Sequence, residues 1–553
     1  MVIRSRLAAS LLVALIAFTA AWLAMLPGVA FWDTGELQAV GPLMGTAHPT
    51  GFPTYVLLGW LASVVLQPFG EPAFRMNLLS GLCLAVAAGF TVDLVRLLTG
   101  RIVLGIAAGL AMALTPIAWA IATHAEAHTL HLALVAILLW LLVSWEARVR
   151  PTTAEVSLDP AGDHRPDHRA QERRAVRADR GDRFLVAATV VFGLAIGNHS
   201  LTLLLAIPVG LYVLAVDPGI LRRGRLILTC VAVLVATVVA VYLELPLRAG
   251  PFRAALVYGT PDTWDGFRYI VLAEQFQGSL SDPFAELPRK FGELLTRAVA
   301  QFGILAPLIP VGFVVTALRR PRYALLTGSA VAITCFFSAS YVNADISRYY
   351  VGPALMAWTW LAILGAAVID LLMAIGGSGE AAGEGKRVAD GDQRSRGDRA
   401  ARRTRGAILA ILVAVALVVP TLVEAPARYA AVDASRQTSA AAWTNRVLDE
   451  VELDAVIVSW WSYSTPLWYA HLVEGRRPDI TIIDDRTRLD QNIGGLTDAI
   501  DRYLGTRPVY VIRLDRREVA LLAERYDLEF IDGSDASSLT LVLGPRTAAS
   551  QTS

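Results

Sequence analysis

The sequence predicts a mainly α-helical polytopic membrane protein with about eleven transmembrane helices and a small C-terminal α/β domain. Three observations predict it. Hydrophobic residues make up 55% of the 553 and charged residues only 18%, with a mean hydropathy of +0.51, more apolar and less charged than an average soluble chain. The apolar residues fall in blocks of roughly 18–25, the length that crosses a bilayer as a helix. After about Asp433 the blocks stop, and short β-branched runs alternate with helical stretches, as in a small α/β unit with a mostly parallel sheet. A net charge of +1 gives no reason to expect nucleic acid as a partner. Cys83, Cys230 and Cys335 sit inside apolar runs and read as buried small hydrophobes, with no disulfide framework or metal site implied.

The expected spans are 7–27, 73–98, 102–122, 129–145, 184–197, 200–216, 226–245, 299–318, 323–340, 351–375 and 407–423. The first reads as a span rather than a cleaved signal peptide, because it is long enough to cross and many more follow. Segment 51–69 is also apolar enough to cross. If it does not, Arg96, Arg101, the Arg-rich stretch 148–183, the turns 222–225 and 319–322 and the stretch 386–405 all fall on the cytoplasmic side with the N-terminus, as the positive-inside rule asks. It therefore reads as a juxtamembrane or re-entrant helix on the outer side. The outer loops are then 28–72, 123–128, 198–199, 246–298 and 340–350, followed by the C-terminal segment. The expected localisation is a multi-pass protein of a bacterial-type plasma membrane, N-terminus cytoplasmic and C-terminal domain outside.

The expected division is a membrane domain, 1–429, and a non-cytoplasmic α/β domain, 430–553. The mixed-charge tracts 148–183 and 376–405 read as disordered cytoplasmic linkers, too polar to pack a core. In the C-terminal domain, 454–459, 479–483 and 508–514 read as strands, with 528–531 and 539–543 as two more. The stretches 465–474, 496–504 and 517–526 read as helices. There is no Gly-rich phosphate-binding signature and no internal repeat to suggest an inverted-repeat transporter.

The strongest chemical constellation is Phe31-Trp32-Asp33-Thr34-Gly35-Glu36 followed by His48-Pro49-Thr50-Gly51-Phe52-Pro53. Asp33 and Glu36, three apart, share one face of a helical turn just beyond the outer end of the first span. The plainer reading is a helix-capping pair; the functional one is a carboxylate general base at the membrane edge, where a lipid-borne donor and an outer acceptor can meet. A second cluster is His124, Glu126 and His128, with His131 next. Charged groups near membrane depth are costly and face a bundle interior, and His124, His128 and His131 share a helix face, so a hydrogen-bonded polar site and a metal site both stay open. Asn198-His199 lies between two short apolar halves, where a structural His is the plainer reading. Arg248, at the outer end of a span, suits a phosphate, or is a helix C-terminal arginine or a snorkelling side chain. Asp345 and Arg348, beside Tyr349, either pair with each other, or Arg348 faces a diphosphate or monophosphate headgroup. Trp460 and the aromatic run behind it follow the first strand of the C-terminal domain. Open α/β sheets bind ligands there, and such a loop also suits packing on the membrane domain.

The Trp-Asp-Thr-Gly-Glu and His-Pro-Thr-Gly-Phe-Pro stretches resemble the Asp-Ser-Gly-Glu and His-Pro-Pro-Gly-Tyr-Pro motifs of the domain-of-unknown-function 2723 family, the transmembrane protein 260-like protein O-mannosyltransferases. The stretches 193–199, 245–248, 466–469 and 473–479 are similar to that family too, so the resemblance covers nearly the whole chain apart from the Arg-rich tracts. The family is similar to the GT-C superfamily of membrane glycosyltransferases, whose first outer loop carries an acidic catalytic motif and juxtamembrane helices. The resemblance implies a polyprenyl-phosphate sugar donor and a hydroxyl acceptor, protein Ser/Thr or glycan. It makes Asp33 the base, Glu36 its catalytic neighbour and His48 a shaper of the first-loop site, with Glu126 as a second acid. Thr34 in place of Ser, and Thr50 and Phe52 in place of Pro and Tyr, depart from the motifs and bear on substrate detail.

The expected function is an inverting transfer of a sugar, mannose in the first instance, with Asp33 as general base and Arg248 and Arg348 on the leaving phosphate. The further substrate-binding residues expected are His48, Glu126, His128, His199, Asp345, Tyr349 and Trp460. No cofactor is expected, and a divalent ion is left open. The alternatives are a flippase or transporter of a lipid-linked sugar, using the same acids and arginines without chemistry, and a non-catalytic membrane assembly protein.

Overall fold

The computed structural model describes residues 2–150, 168–343, 345–381, 393–531 and 538–546. Among these, eight helices are long and apolar enough to cross a membrane, from Arg6–Leu23 at the N-terminal end to Ala401–Val432. A further apolar stretch is a bent helix pair, Leu287–Leu305 and Leu308–Arg319, folded by 82° at the break. Two further expected spans are shorter apolar helices, Ile102–Ala113 and Ser200–Val216. The eleven expected segments are thus eight full-length helices, one bent pair and two short apolar helices. The physical reason is that apolar composition does not report helix breaks. Run 102–122 stops at Leu114 and restarts at Pro116 as Pro116–Ile121, because proline is tolerated in a first turn but not within a helix.

Segment 51–69 forms the helix Pro53–Val65 and a short 3-10 turn, Gln67–Phe69. Thirteen residues reach only about 20 Å at 1.5 Å per residue, short of a hydrocarbon core about 30 Å thick, and Leu61, Val64, Val65 and Phe69 stay exposed along it. The expected linkers are corrected in part. Residues 168–183 open the helix His168–Asn198, and 393–405 open Gln393–Val432, consistent with the high helix propensity of their Arg and Ala. Residues 151–167 and 382–392 lie outside the described residues.

The C-terminal part holds one five-stranded sheet of order β2-β1-β3-β5-β4, with β1 Val456–Ser459, β2 Thr481–Asp484, β3 Val509–Ile512, β4 Tyr526–Phe530 and β5 Thr540–Pro545. The first three strands are parallel; β5 runs antiparallel to β3 and β4 antiparallel to β5. The helix Trp461–Trp468 leaves the carboxyl end of β1 and lies on the helix Trp32–Leu43, in the connection between the first two long helices. Phe31 meets Trp443 and Tyr463 at ring distances of 5.4 and 5.7 Å, and Trp32 meets Trp461 at 6.2 Å. Gly35 sits in this contact. A Cβ there would stand 2.1 Å from the Ala30 carbonyl and 2.6 Å from Thr465 Oγ1, so the glycine of the acidic motif lets the sheet unit approach the loop.

Candidate active site

The loop between the first two long helices is fixed by a buried amide pair. Gln38 donates to the Gly28 carbonyl and to Asn77 Oδ1 and accepts from the Ala30 amide. Asn77 Oδ1 also accepts the Ala125 amide at 2.8 Å, and Ser80 accepts the Glu126 amide at 3.0 Å. The long helix Pro72–Thr99 thereby holds the Asp33 loop and the Glu126 loop side by side. In the His-Pro-Thr-Gly-Phe-Pro stretch the chain turns with the Gly51 amide on the His48 carbonyl at 2.7 Å. Gly51 takes a φ of +79°, and a Cβ there would crowd Ile270 at 2.9 Å, which suits glycine.

Three polypeptide segments converge on one guanidinium. Arg348 Nη1 donates to Glu126 Oε2 at 2.7 Å and Nη2 to Asp33 Oδ2 at 2.9 Å. Its contact with Asp345 is longer, 3.4 Å, to a largely exposed carboxylate. The local Asp345–Arg348 pairing is therefore the minor partner. The capping reading of Asp33 and Glu36 does not hold either, since no side chain caps the helix Trp32–Leu43; these carboxylates face tertiary partners. Glu126 instead caps its own helix, Ala127–Val149, accepting the His128 amide at 3.1 Å and pairing with His128 Nδ1 at 2.8 Å. Because that helix starts after Glu126, His124 lies before it and does not share a face with His128 and His131. Burial alone would raise the Glu126 pKa; Arg348, then His128, hold it well below its ordinary value.

Glu36 is fully buried and stands behind Asp33. Its Oε1 accepts the His48 amide at 3.1 Å and Arg486 Nη1 at 3.0 Å, and its Oε2 pairs with His48 Nδ1. Arg486 had no signal as a lone arginine. It follows β2 directly, in Asp484-Asp485-Arg486, and the carboxyl end of a parallel strand is where ligand-facing residues collect. Its guanidinium lies between the rings of Tyr258 and Trp468 at 4.3 and 4.5 Å.

Two cavities meet at this cluster. The larger, about 940 Å³, faces the sheet unit and is lined by Asp33, His48, Glu126, Arg348, Tyr258, Asp345, Trp460, Trp461, Asp485 and Arg486 among others. The smaller, about 330 Å³, shares Asp33, His48, Glu126 and Arg348 and is lined mainly by apolar residues such as Leu201, Leu203, Leu204, Leu272, Leu280 and Phe337, together with His128, His199, Tyr349 and the polar Thr50, Ser200, Gln277 and Asn343. Leu203, Leu272 and Leu280 are all more than half exposed, so this lobe opens on an apolar surface. His199 caps the turn after Asn198, its Nδ1 accepting the Leu201 amide at 3.0 Å, and its ring lies 4.6 Å from His128 and 5.5 Å from Tyr349. Burial, then His128, push the His199 pKa well down. Among the described residues no three His, Cys, Asp or Glu side chains are grouped to hold a metal ion.

Arg248 is the expected site residue that the structure sets apart. Its Nε and Nη2 donate to the Met44 and Leu43 carbonyls, both at 2.9 Å. It closes the C-terminal end of the helix Trp32–Leu43, where carbonyls lack intrahelical donors, and it lines neither lobe. Arg248→Met should lower stability by about 2 kcal/mol with lipid-phosphate affinity unchanged, as read by denaturant unfolding and by donor binding in micelles. Weakened donor binding at full stability would return Arg248 to the phosphate.

A family model, the Protein O-mannosyl-transferase TMEM260 N-terminal domain, matches residues 33–218, which include Asp33, Glu36, His48, Glu126, His128 and His199. The chain is 38% identical over 114 residues to Protein O-mannosyl-transferase TMEM260 of Mus musculus, covering 21% of this chain and 16% of that protein. It is 28% identical over 125 residues to Protein O-mannosyl-transferase tmem260 of Dictyostelium discoideum, covering 22% of this chain and 15% of that one. The chain thus matches about a sixth of the length of these curated relatives. In fold it resembles ArnT from Cupriavidus metallidurans, solved bound to undecaprenyl phosphate, with a TM-score of 0.56 and 16% identity over 96% of this chain and 97% of that chain. It also resembles the archaeal oligosaccharyltransferase AglB from Archaeoglobus fulgidus, solved with an inhibitory peptide and a dolichol-phosphate, with a TM-score of 0.50 and 16% identity over 92% of this chain and 69% of that chain. The chain is therefore a polytopic membrane protein with a fold like those of ArnT and AglB, similar over residues 33–218 to the TMEM260 protein O-mannosyl-transferases.

Proposed function

We propose that this protein transfers a sugar, mannose in the first instance, from a polyprenyl-phosphate donor to a hydroxyl of a protein or glycan on the outer side of the membrane. The observation that carries the reading is the meeting of two unlike cavities at Asp33, Glu126, His48 and Arg348. The apolar lobe suits a lipid chain entering from the bilayer, as the lipid-phosphate complexes of the two solved neighbours lead one to expect. The larger lobe, with aromatic faces at Trp460, Trp461 and Tyr258 and polar groups between them, suits a hydroxylated acceptor.

The chemistry follows from charge. Cleaving the anomeric C–O bond leaves a phosphate, and Arg348 is a cation at the junction able to bind it in fork geometry. Its ion pairs with Asp33 and Glu126 hold the fork in place before substrate arrives, so little reorganisation is needed during reaction. Asp33 keeps Oδ1 without a protein partner among the described residues and stands where an acceptor hydroxyl would be received. A single displacement on that side of the sugar inverts the anomeric centre. The orientation, with this face outside the cell, rests on the positive-inside distribution of arginines.

The test uses protein in lipid vesicles with radiolabelled polyprenyl-phosphate mannose and a membrane extract supplying acceptors. Wild type should release lipid phosphate and pass label to an acceptor, and Asp33→Asn should lower the rate by about 10²-fold or more. Donor bound and moved across the membrane but never cleaved would make the protein a flippase. Undiminished transfer by Asp33→Asn would remove Asp33 from the site.

A further inference from the structure

The reading above leaves the Glu36–His48 pair without a chemical task. Both Glu36 oxygens are committed, Oε1 to the His48 amide and Arg486, Oε2 to His48 Nδ1. With the hydrogen on Nδ1, facing a carboxylate, the neutral ring carries its lone pair on Nε2. That nitrogen has no hydrogen-bond partner among the described residues, and the ring lines both lobes. Edge-on contacts with Phe52, Phe276 and Trp461, at ring distances of 5.1, 6.1 and 5.9 Å, hold the imidazole in place. A buried carboxylate on Nδ1, with Nε2 free of protein partners on a ring that lines both lobes, is the arrangement by which a histidine is oriented as a base. Asp33, by contrast, has Oδ2 tied to Arg348.

We propose that His48, oriented by Glu36, is the general base of the transfer, and that Asp33 receives and aims the acceptor hydroxyl. The proposal rests on the glycosyl-transfer reading above. As the acceptor oxygen bonds to the anomeric carbon, the anomeric C–O bond to phosphate breaks and its electron pair leaves with the lipid phosphate. The hydroxyl proton passes to His48 Nε2. The resulting imidazolium is held against the Glu36 carboxylate until the proton is lost to water in the larger lobe.

The charged groups around His48 come from three elements. Glu36 and Asp33 stand on the helix Trp32–Leu43, Arg348 on the turn Ile346–Tyr350, and Arg486, through Glu36, on the sheet unit. Burial works to lower the His48 pKa, and Arg348 adds to that; Glu36, with help from Asp33, overcomes both and raises it above 6.5. A base must be unprotonated to act, so the rate should rise with pH through a midpoint above 6.5. Without Glu36, burial wins and the midpoint should fall.

The experiment measures single-turnover transfer from polyprenyl-phosphate mannose to the acceptors of a membrane extract, by the whole chain in vesicles between about pH 5.5 and 8.5, with donor binding measured in parallel. His48→Gln should bind donor within about threefold of wild type, lose about 10²- to 10⁴-fold in rate, and show a residual rate flat in pH. Asp33→Asn should be slow yet keep the pH rise, and Glu36→Gln should move its midpoint downward. If the rise persists in His48→Gln, or vanishes in Asp33→Asn while His48→Gln retains its rate, His48 is not the base, although wild type still transfers sugar. If wild type cleaves no donor, the glycosyl-transfer reading itself falls. Should His48→Gln fail to hold donor, the Glu36→Gln midpoint decides, and an unmoved midpoint overturns the proposal.

Discussion

Arg348→Ala should abolish measurable transfer and lower stability by about 3 kcal/mol. The guanidinium ties Asp33 and Glu126 together from opposite sides, and the Glu126 side chain is only 3% exposed. Removing the cation leaves two carboxylates facing each other, and losing one partner of a buried pair is far more costly than the pair's net contribution. The catalytic loss is separate. Removing one preorganised group from developing anionic charge costs about 10²–10³ in rate, and the misplaced Asp33 adds to it. Arg348→Lys should fall between, because an ammonium cannot fork across two carboxylates and a phosphate. A second substitution divides the two effects: Arg348→Met with Glu126→Gln should recover much of the stability and none of the transfer. The stability deficit should also depend on pH. Glu126 in wild type is held well below 4.5, so its contribution is present above that value and lost as pH falls. The gap between wild type and Arg348→Ala should therefore narrow toward acid pH. Denaturant unfolding at two pH values, beside donor-release assays, checks both. Full transfer by a well-folded Arg348→Ala would remove the arginine from the phosphate.

Much of this site was legible because its residues break a local rule. Asp33, Glu36 and His48 stand together in a short, polar, glycine-punctuated loop between apolar runs, and Glu126 is a carboxylate at membrane depth, where charge persists only with a partner. What composition could not supply was the partner. Glu126 finds Arg348 222 residues away, and Glu36 finds Arg486 450 residues away; no local pattern carries such pairings. Arg248 left a phosphate role and a structural one equally open for the complementary reason. An arginine at the outer end of a span looks the same whether its donors meet a phosphate or the free carbonyls of a neighbouring helix. The strands of the sheet unit were legible from their β-branched runs. The antiparallel placing of β4 and β5 was not, because alternation of strand and helix suggested only a mostly parallel sheet.

Arg486→Met should uncouple the sheet unit from the membrane site. Arg486 is nearly buried, donates to a fully buried Glu36, and stacks between Tyr258 of the connection after the helix Glu244–Ala249 and Trp468 of the sheet unit. One side chain thus joins three elements at the wall of the larger lobe. The substitution removes the only arginine on Glu36 among the described residues, leaving that carboxylate to His48 and its amide, and it forfeits two cation–π contacts worth about 1 kcal/mol each. Stability should drop by about 3 kcal/mol, as for other broken buried pairs. The drop should be smaller in a Glu36→Gln background, with a coupling of about 2 kcal/mol in the double-mutant cycle. Kinetics should separate this role from that of Arg348. If Arg486 shapes the acceptor lobe, the acceptor KM rises several-fold while donor binding holds, because the apolar lobe does not include this residue. If donor binding falls instead and the acceptor KM does not move, Arg486 serves the lipid phosphate, and the sheet unit acts on the donor side of the reaction.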